Sequence, residues 1–225
     1  MATLFLVASP IGNLGDITLR ALDCLRGADA IACEDTRRSL ILLGRYDIKK
    51  PLISCHAHNE KSAARRVLAL LGDGKDVAYL SDAGTPGISD PGERLVRLAK
   101  DAGFPVLPLP GPCAFTVLAS VSGYSNKTLT FEGFLSPKAG RRRSRLRELL
   151  ARGEVFVLYE SVHRIVKLLG DLADLEPERL ILAGREMTKE FEEYLEGTAG
   201  EILANFTEKN LKGEFSVLVT DRKKG

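Results

Sequence analysis

The first half of the chain alternates regularly between short β-rich runs and helical patterns. Strand–helix alternation at this spacing predicts a parallel sheet covered by helices on both faces. The predicted strands occupy residues 4–8, 28–33, 52–55, 76–80 and 106–109. The predicted helices between them occupy residues 17–25, 36–43, 61–71 and 91–102.

The second half has a different organisation. Its predicted strands occupy residues 129–133, 155–159, 179–183, 191–196 and 214–220, and its helices 141–152, 162–172 and 198–205. Thr198 and Glu201 fit a capping box at the start of the last helix. The strand-rich run before that helix indicates antiparallel pairing, so this half should form a mixed α/β sheet. A proline-rich segment at 107–112 separates the halves, and we predict two domains, 1–118 and 119–225.

Composition narrows the class of protein. The chain has 225 residues, of which 44% are hydrophobic, and its net charge is only +2, so no overall field directs it to nucleic acid or membrane. Four scattered cysteines without a CxxC motif predict reduced thiols and a cytoplasmic protein. The start lacks the basic region of a signal peptide, and no run reaches the roughly 18 apolar residues of a membrane span.

The segment YLSDAGTPGISDPG at 79–92 begins at the end of the apolar run 77–80 and continues as a glycine-rich loop. Ligands bind at the carboxyl ends of strands in open α/β sheets, and glycine lets the backbone approach a ligand closely. The alternative is a solvated turn in which Asp90 and Pro91 are the N-cap and first residue of a helix. That alternative explains two residues of the loop and leaves the longer glycine-rich part without a role.

The opening segment VASPIGNLGDITLRA partly fits a dinucleotide-binding fingerprint. Pro10, Gly12 and Gly15 have the GxGxxG spacing, and Glu34 and Asp35 follow where a ribose-binding acid would lie. Proline cannot adopt the positive φ of the first glycine and donates no N–H. A strand-to-helix turn is therefore the better interpretation of this segment taken alone.

Polar residues also follow the second predicted strand, in the segment CEDTRRS. Asp35 or Thr36 suits the N-cap of the next helix. Arg37 and Arg38 then stand in a first helical turn, where cations are disfavoured. An anionic partner near this strand end would account for them.

Histidines follow the third predicted strand, in SCHAHNE. His56 and His58 lie on the same side of an extended segment, beside Cys55 and Asn59. No CxxC or HExxH supplies further ligands, so we expect no metal site. A polar site lining and a solvated loop remain open.

Two charged clusters follow strands of the second half, in YESVHRI and GREMTKE. Each alone could be a surface ion pair worth under about 1 kcal/mol. Two clusters at equivalent positions favour a shared site. Their polar residues are Glu160, His163, Arg164, Arg185, Glu186 and Lys189.

A basic run, KAGRRRSRLR, occupies residues 138–147 and contains six basic residues and no acidic one. The remaining residues together carry −4, because the whole chain carries +2. A solvated helix face is one interpretation. Since such a face without acids repels itself, a phosphate-bearing partner is the better one. The arginines concerned are Arg141, Arg142, Arg143, Arg145 and Arg147.

Together these motifs resemble a known family. Nine occur in one order along nearly the whole chain: ASPIGNLGDIT, CEDTRRS, CHAHNE, LSDAGTPGISDPG, PLPGPCA, EGFLSPK, YESVHR, REMTK and KGEFSVLV. In this combination the chain is similar to bacterial ribosomal RNA 2′-O-methyltransferases of the tetrapyrrole-methylase superfamily. Any one motif would be weak, whereas nine in order are specific.

The resemblance implies a homodimeric two-domain α/β enzyme of class III methyltransferase type. It implies S-adenosylmethionine bound in the cleft between the domains, and no dinucleotide. The implied reaction is 2′-O-methylation of a cytidine ribose in 16S RNA of the small ribosomal subunit. The implied cofactor-contacting residues are Ile11, Asp82, Gly84, Thr85, Cys113, Ala114, Tyr159, Ala183 and Gly213.

Methyl transfer from a sulfonium needs alignment of the reacting atoms and a route for the hydroxyl proton. The candidate bases are Glu34, Asp35, His56, Glu160, Glu186 and Lys189, and a neutral lysine would need a nearby cation such as Arg185. We expect one acceptor pocket lined by Asp35, Arg37, His56, Asn59, Arg164, Glu186 and Lys189. Methylation of a small tetrapyrrole acceptor and non-catalytic RNA binding are the alternatives.

Overall fold

The computed structural model describes residues 1–56, 58–124, 128–206 and 211–224. The chain forms two compact units, Met1–Cys113 and Ala114–Gly225. The boundary predicted after residue 118 falls inside the helix Ala114–Val121 with which the second unit begins. Within the described ranges, every helix is too short or too polar to cross a membrane.

The first unit contains one five-stranded sheet, and all of its strand pairs are parallel. The strand order is β3-β2-β4-β1-β5, which confirms the predicted parallel sheet. Its strands are β1 (Leu4–Val7), β2 (Ala30–Cys33), β3 (Leu52–Ser54), β4 (Val77–Leu80) and β5 (Val106–Leu109). Its helices are α1 (Leu19–Gly27), α2 (Thr36–Arg45), α3 (Glu60–Gly72) and α4 (Glu93–Asp101).

Apolar side chains on both faces explain why this sheet is buried. Successive side chains of a strand point to opposite faces. Val77 and Tyr79 of β4 therefore join one core with α3 and α4, while Ala78 and Leu80 join another with α1 and α2. Every residue of β4 is buried. The continuous apolar run in the sequence is the pattern of a central strand in a parallel sheet.

The start of α4 differs from its sequence prediction. Asp90 and Pro91 are not its N-cap and first residue, because the N-cap is Gly92, whose φ is +127°. Buried Tyr79 donates a hydrogen bond of 2.9 Å from its hydroxyl to the carbonyl of Pro91. A Cβ on residue 92 would lie 2.8 Å from Cε1 of Tyr79, so the ring leaves room only for glycine. Because Tyr79 holds the carbonyl of Pro91, Asp90 and Pro91 stay in the loop that precedes α4.

The second unit contains a mixed sheet, as predicted, and its strand order is β6-β7-β10-β8-β9. The strand β6 (Leu129–Phe134) runs parallel to β7 (Val155–Ser161), and the other pairs are antiparallel. The remaining strands are β8 (Arg179–Arg185), β9 (Glu193–Thr198) and β10 (Glu214–Lys223). Its helices are α5 (Ala114–Val121), α6 (Ala139–Ala151), α7 (Ile165–Leu175) and α8 (Ala199–Ala204).

Helices cover both faces of the mixed sheet. Leu146 of α6 and Leu169 of α7 pack with Phe156 on one face, and Leu118 of α5 packs with Val157 on the other. The capping box predicted before α8 is confirmed: Thr198 N–H donates to Oε2 of Glu201 at 2.9 Å, and Glu201 N–H donates to Oγ1 of Thr198 at 3.3 Å.

Candidate functional site

Three loops meet at the carboxyl edge of the parallel sheet, after β1, β4 and β5. Ser9 and Gly84 exchange two backbone hydrogen bonds of 2.9 and 3.0 Å, which join the first loop to the second. Thr85 donates a hydrogen bond of 3.1 Å from Oγ1 to the carbonyl of Pro112, which joins the second loop to the third. Ser81 braces the centre by donating to the carbonyl of Gly84 at 2.6 Å. The three loops therefore form one connected surface.

Glycines bring the backbones of these loops into close contact. A Cβ on residue 111 would lie 2.8 Å from Cβ of Ala8, and one on Gly84, whose φ is +83°, would lie 3.4 Å from Cγ2 of Ile11. The Ser9 hydroxyl is buried and has no hydrogen-bond partner in the described part of the chain. A buried unsatisfied polar atom beside accessible backbone suits a polar ligand. We call Ser9, Ile11, Gly84, Thr85 and Gly111 the glycine cradle.

The glycine cradle contains three of the residues predicted for the cofactor: Ile11, Gly84 and Thr85. Sequence reasoning missed Ser9 and Gly111. The signal for both was present, since a small polar residue follows β1 and a glycine follows β5. Cys113 is buried directly after this region, at the end of the first unit.

Asp82 connects the β4 loop to the loop after β2. Its Oδ1 accepts a hydrogen bond of 2.9 Å from the backbone N–H of Asp35, and its Oδ2 lies 3.6 Å from a guanidinium nitrogen of Arg38. Arg38 thus has a carboxylate of this chain beside it. Asp82 therefore holds the loop after β4 to the loop after β2.

A depression opens on the same edge of the sheet, and residues 89–92 of the β4 loop form part of its lining. Its volume is about 860 Å³, and we call it the acidic depression. Burial, followed by the charges of Asp82 and Asp90, raises the pKa of Glu34 to about 6. The residues that line the acidic depression are Glu34, Glu60, Ser89, Asp90, Pro91, Gly92, Glu93, Arg94, Arg97 and Leu98.

Asp35 and Arg37 form a close pair at the start of α2. The Asp35 carboxylate accepts from the Arg37 backbone N–H at 2.9 Å, which confirms Asp35 as the N-cap, and contacts the guanidinium at 2.7 Å. These hydrogen bonds from Arg37 lower the pKa of Asp35 to about 2. Asp35 is therefore a weak proton acceptor, while the Arg37 side chain, 88% exposed, is available to an anion.

His56 and Asn59 lie in the neighbouring loop after β3. Oδ1 of Asn59 accepts from the backbone N–H of His56 at 2.8 Å, and its Nδ2 donates to the carbonyl of Ser54 at 3.0 Å. Both ends of the Asn59 amide thus shape the loop. Nδ1 of His56 is buried and has no hydrogen-bond partner within the described ranges.

In the second unit, Tyr159 and Ala183 lie on β7 and β8. The Tyr159 hydroxyl accepts a hydrogen bond of 2.9 Å from the N–H of Phe115, next to the predicted cofactor residue Ala114 at the start of α5. The Tyr159 ring packs edge-on against Phe131. Ala183 is fully buried within its strand. Tyr159 thereby fixes the first turn of α5, and contact of these residues with a cofactor stays a prediction.

Glu186, Lys189 and Glu214 form a compact ionic cluster after β8. Nζ of Lys189 lies 2.8 Å from Oε1 of Glu186 and 3.0 Å from Oε2 of Glu214. Burial lowers the pKa of Lys189, but its hydrogen bonds to the two carboxylates outweigh burial and leave the pKa raised. The raised pKa keeps Lys189 charged, which argues against its use as a neutral base. Arg185, the expected cation, pairs with Glu193 at 3.1 Å.

The backbone around this cluster adopts unusual conformations. Glu186 and Thr188 have φ values of +48° and +67°, which non-glycine residues rarely adopt. The turn at Gly213, with φ of +93°, packs so closely that a Cβ there would overlap the Glu186 side chain. Burial raises the pKa of Glu186, yet the hydrogen bonds from Lys189 and from the Glu214 backbone prevail and lower it. Glu186 is thus held as a carboxylate.

Glu160, near the end of β7, and Arg164, the N-cap of α7, form a second pair. A guanidinium nitrogen of Arg164 lies 2.6 Å from Oε1 of Glu160, and another donates to the carbonyl of Leu135 at 3.2 Å. Glu160 is buried, and its Oε2 has no hydrogen-bond partner among the described residues. The Arg164 side chain remains 24% exposed, so part of the guanidinium can meet an anion.

The basic helix α6 does not present an uncompensated arginine face, which corrects the sequence interpretation. Arg142 is buried and lies 2.7 Å from Asp171, and Arg143 lies 2.8 Å from both Asp171 and Asp174. Arg145 lies 2.7 Å from Glu132 and 2.8 Å from Glu148. Most of these acids come from β6 and α7, so the basic run alone could not reveal them.

Two of the five arginines predicted to bind RNA keep exposed side chains, Arg141 and Arg147. The prediction that Arg142 binds phosphate is wrong, because its guanidinium is buried against Asp171. Arg143 and Arg145 are half-buried, and each already contacts two carboxylates. Any phosphate contact by α6 therefore rests first on Arg141 and Arg147.

Comparison with known proteins places this geometry in a class. The fold matches the solved structure of diphthine synthase with a TM-score of 0.77 at 13% identity, over 99% of this chain and 92% of that one. The family model of the Tetrapyrrole (Corrin/Porphyrin) Methylases matches residues 3–203. The chain therefore belongs to the tetrapyrrole methylase family.

Its curated relatives are more specific. A protein of Borrelia garinii subsp. bavariensis named ribosomal RNA small subunit methyltransferase I is 46% identical over 219 residues, which cover 96% of this chain and 98% of that protein. A protein of Thermotoga maritima with the same name is 42% identical and covers 99% of this chain and 100% of its own length. The similarity thus extends over both units.

Proposed function

We propose that this protein uses S-adenosylmethionine to methylate the ribose 2′-hydroxyl of a cytidine in 16S RNA of the small ribosomal subunit. The observation that carries the proposal is the agreement among curated relatives: proteins 40–46% identical over nearly the whole chain share the name ribosomal RNA small subunit methyltransferase I. The resemblance of the nine sequence motifs supplies the ribose position and the cytidine.

The glycine cradle supports a bound cofactor. Gly84 and Gly111 let the three loops pack closely enough to form the cradle, and the unsatisfied Ser9 hydroxyl is a hydrogen-bonding group within it. Ile11 adds an apolar contact, and Thr85 fixes the cradle to the β5 loop. S-adenosylmethionine supplies a methyl group on a sulfonium, and the chain's own residues hold and orient it. Asp82, Cys113, Ala114, Tyr159, Ala183 and Gly213 remain proposed cofactor contacts.

Exposed arginines support a polyanionic acceptor. Arg37 extends from the edge of the sheet in the first unit, and Arg164 is held in place by Glu160 in the second. A guanidinium can bind phosphate through two parallel hydrogen bonds. Arg141 and Arg147 add positive charge on α6. Several exposed arginines suit an RNA backbone, which carries one phosphate per nucleotide, better than a single small acceptor.

The homodimer and the cytoplasmic location belong to the same proposal. The family resemblance implies the first, and the ribosomal RNA substrate implies the second. His56, Asn59, Glu186 and Lys189 are proposed to surround the acceptor, with Asn59 and the cluster of Lys189, Glu186 and Glu214 shaping their loops.

A methyl-transfer assay tests the proposal against its alternatives. Purified protein is incubated with methyl-labelled S-adenosylmethionine and either small subunits that lack the modification, protein-free 16S RNA or uroporphyrinogen. Label should enter 16S RNA at a cytidine whose 3′ linkage then resists alkali, because the 2′-oxygen is blocked. Label in uroporphyrinogen alone would favour a small-acceptor enzyme. Calorimetry that shows no cofactor binding would favour a non-catalytic RNA-binding protein.

A further inference from the structure

Glu34 lines the acidic depression at the carboxyl edge of the parallel sheet. It directly follows β2, the neighbour of β4 in the sheet. The β4 loop contributes Gly84 and Thr85 to the glycine cradle and residues 89–92 to the acidic depression. The hydrogen bond from Asp35 N–H to Asp82 ties the residue after Glu34 to that same loop. An acceptor hydroxyl that enters the acidic depression can therefore reach Glu34, which lines it.

The Glu34 carboxylate is not held by other groups in the part of the chain that the structure describes. Among the described residues no hydrogen bond or ion pair within 4.0 Å involves its oxygens, and nearby Arg38 pairs instead with Asp82 at 3.6 Å. The other candidate carboxylates are engaged. Asp35 contacts Arg37, and the carboxylates of Glu160 and Glu186 contact Arg164 and Lys189, respectively.

We propose that Glu34 is the general base that accepts the proton of the acceptor hydroxyl. The inference rests on the proposed function. As the ribose 2′-oxygen forms its new bond to the methyl carbon, the carbon–sulfur bond breaks and its electron pair stays on sulfur, which becomes a neutral thioether. The hydroxyl proton passes to the Glu34 carboxylate. The open depression then lets the proton leave to water.

Charges around Glu34 support this role. Burial is the largest cause that raises its pKa to about 6, and Asp82, Asp90 and Asp35 raise it further while Arg38 lowers it. At neutral pH such a group is ionised yet more basic than an ordinary glutamate, which favours proton transfer. The other titratable groups near it are Glu60, Glu93, Arg94 and Arg97 of the depression and the buried Cys55 and Tyr79.

Single-turnover methyl transfer across pH 5–8.5 tests the inference, with the protein in excess over small subunits and the cofactor saturating. The wild-type rate should fall on the acid side with a midpoint near 6. Glu34→Gln should lower the rate at pH 7.5 by about 10²–10⁴-fold and abolish this acid limb. Its affinity for S-adenosylmethionine should stay within about twofold of wild type, because the substitution leaves the cradle intact.

Glu178→Gln is the matched control, since it makes the same change at an exposed position at the amino end of β8. It should keep both the rate and the acid limb. Glu34→Asp, which keeps a shorter carboxylate, should retain the acid limb at reduced rate, and it replaces the glutamine variant if circular dichroism shows that variant unfolded.

A second measurement needs neither substrate nor cofactor. Carbon-13 NMR of glutamate carboxyl groups in the free protein should show one resonance with a midpoint near 6, and that resonance should be missing from Glu34→Gln. A glutamine variant that methylates within threefold of wild type and keeps the acid limb would overturn the inference. A wild-type protein that transfers no methyl group to RNA would instead refute the proposed function.

Discussion

Removing the carboxylate of Asp171 should destabilise the second unit strongly. Asp171 and Arg142 form an ion pair of 2.7 Å in which the two side chains are only 10% and 5% exposed. The alanine variant would leave a buried guanidinium without its partner, which costs about 3–5 kcal/mol. Arg143 would also lose one of its two contacts. Urea denaturation followed by circular dichroism at pH 7 measures the loss.

Two further variants separate the buried pair from surface charge. Asp174→Ala removes a carboxylate that is 65% exposed and contacts the same Arg143, so it should cost about 0–1 kcal/mol. The double change Arg142→Met with Asp171→Leu removes both buried charges together, and it should recover most of the stability lost in Asp171→Ala. If Asp171→Ala lowers the free energy of unfolding no more than Asp174→Ala does, Arg142 is not buried against Asp171 as the structure indicates. The argument that Arg142 cannot bind RNA phosphate would then fail.

Three other predictions follow from the sites. Gly111→Ala should weaken S-adenosylmethionine binding by at least about tenfold in calorimetry, because its Cβ would lie 2.8 Å from that of Ala8, whereas Gly72→Ala, with open space around it, should bind normally. Changing Arg141 and Arg147 together to glutamine should flatten the salt dependence of RNA binding by about 1.4–1.8 log units per log unit of salt, if each arginine neutralises one phosphate, and an unchanged slope would count against both. Because the pKa of Glu34 is about 6 in the folded protein and its ordinary value is 4.5, the folded state binds this proton more tightly than the unfolded state. The free energy of unfolding should therefore decrease as the pH rises from 4.5 to 6. Urea denaturation should show a smaller decrease for Glu34→Gln than for the wild-type protein. Equal decreases in the two proteins would exclude the raised pKa.

Local sequence patterns predicted most of the secondary structure because the physical causes are themselves local. The apolar run 77–80 reads as a buried strand, and β4 is buried at every residue. The capping box of Thr198 and Glu201 needs only four consecutive residues. The candidate site residues of the first unit could be predicted from their place after strands, since the carboxyl ends of parallel strands meet at one edge of the sheet.

Contacts between distant parts of the chain account for what the sequence could not predict. The acids that neutralise Arg142 and Arg145 stand on other elements, and nothing in the basic run indicates them. The start of α4 is set by Tyr79, a core residue of β4. Likewise, the choice of Glu34 among the candidate bases depends on which carboxylates are paired, and only the folded chain determines the pairs.

The close packing of Gly213 against Glu186 limits how this part of the molecule can change. A side chain at residue 213 would displace the Glu186 carboxylate, which accepts from both Lys189 and the Glu214 backbone. The positive φ of Glu186 depends on the same surroundings, because its backbone N–H donates to the carbonyl of Glu214 at 3.0 Å. Positions 186 and 213 should therefore tolerate substitution only together, and a double-mutant cycle should find their effects far from additive.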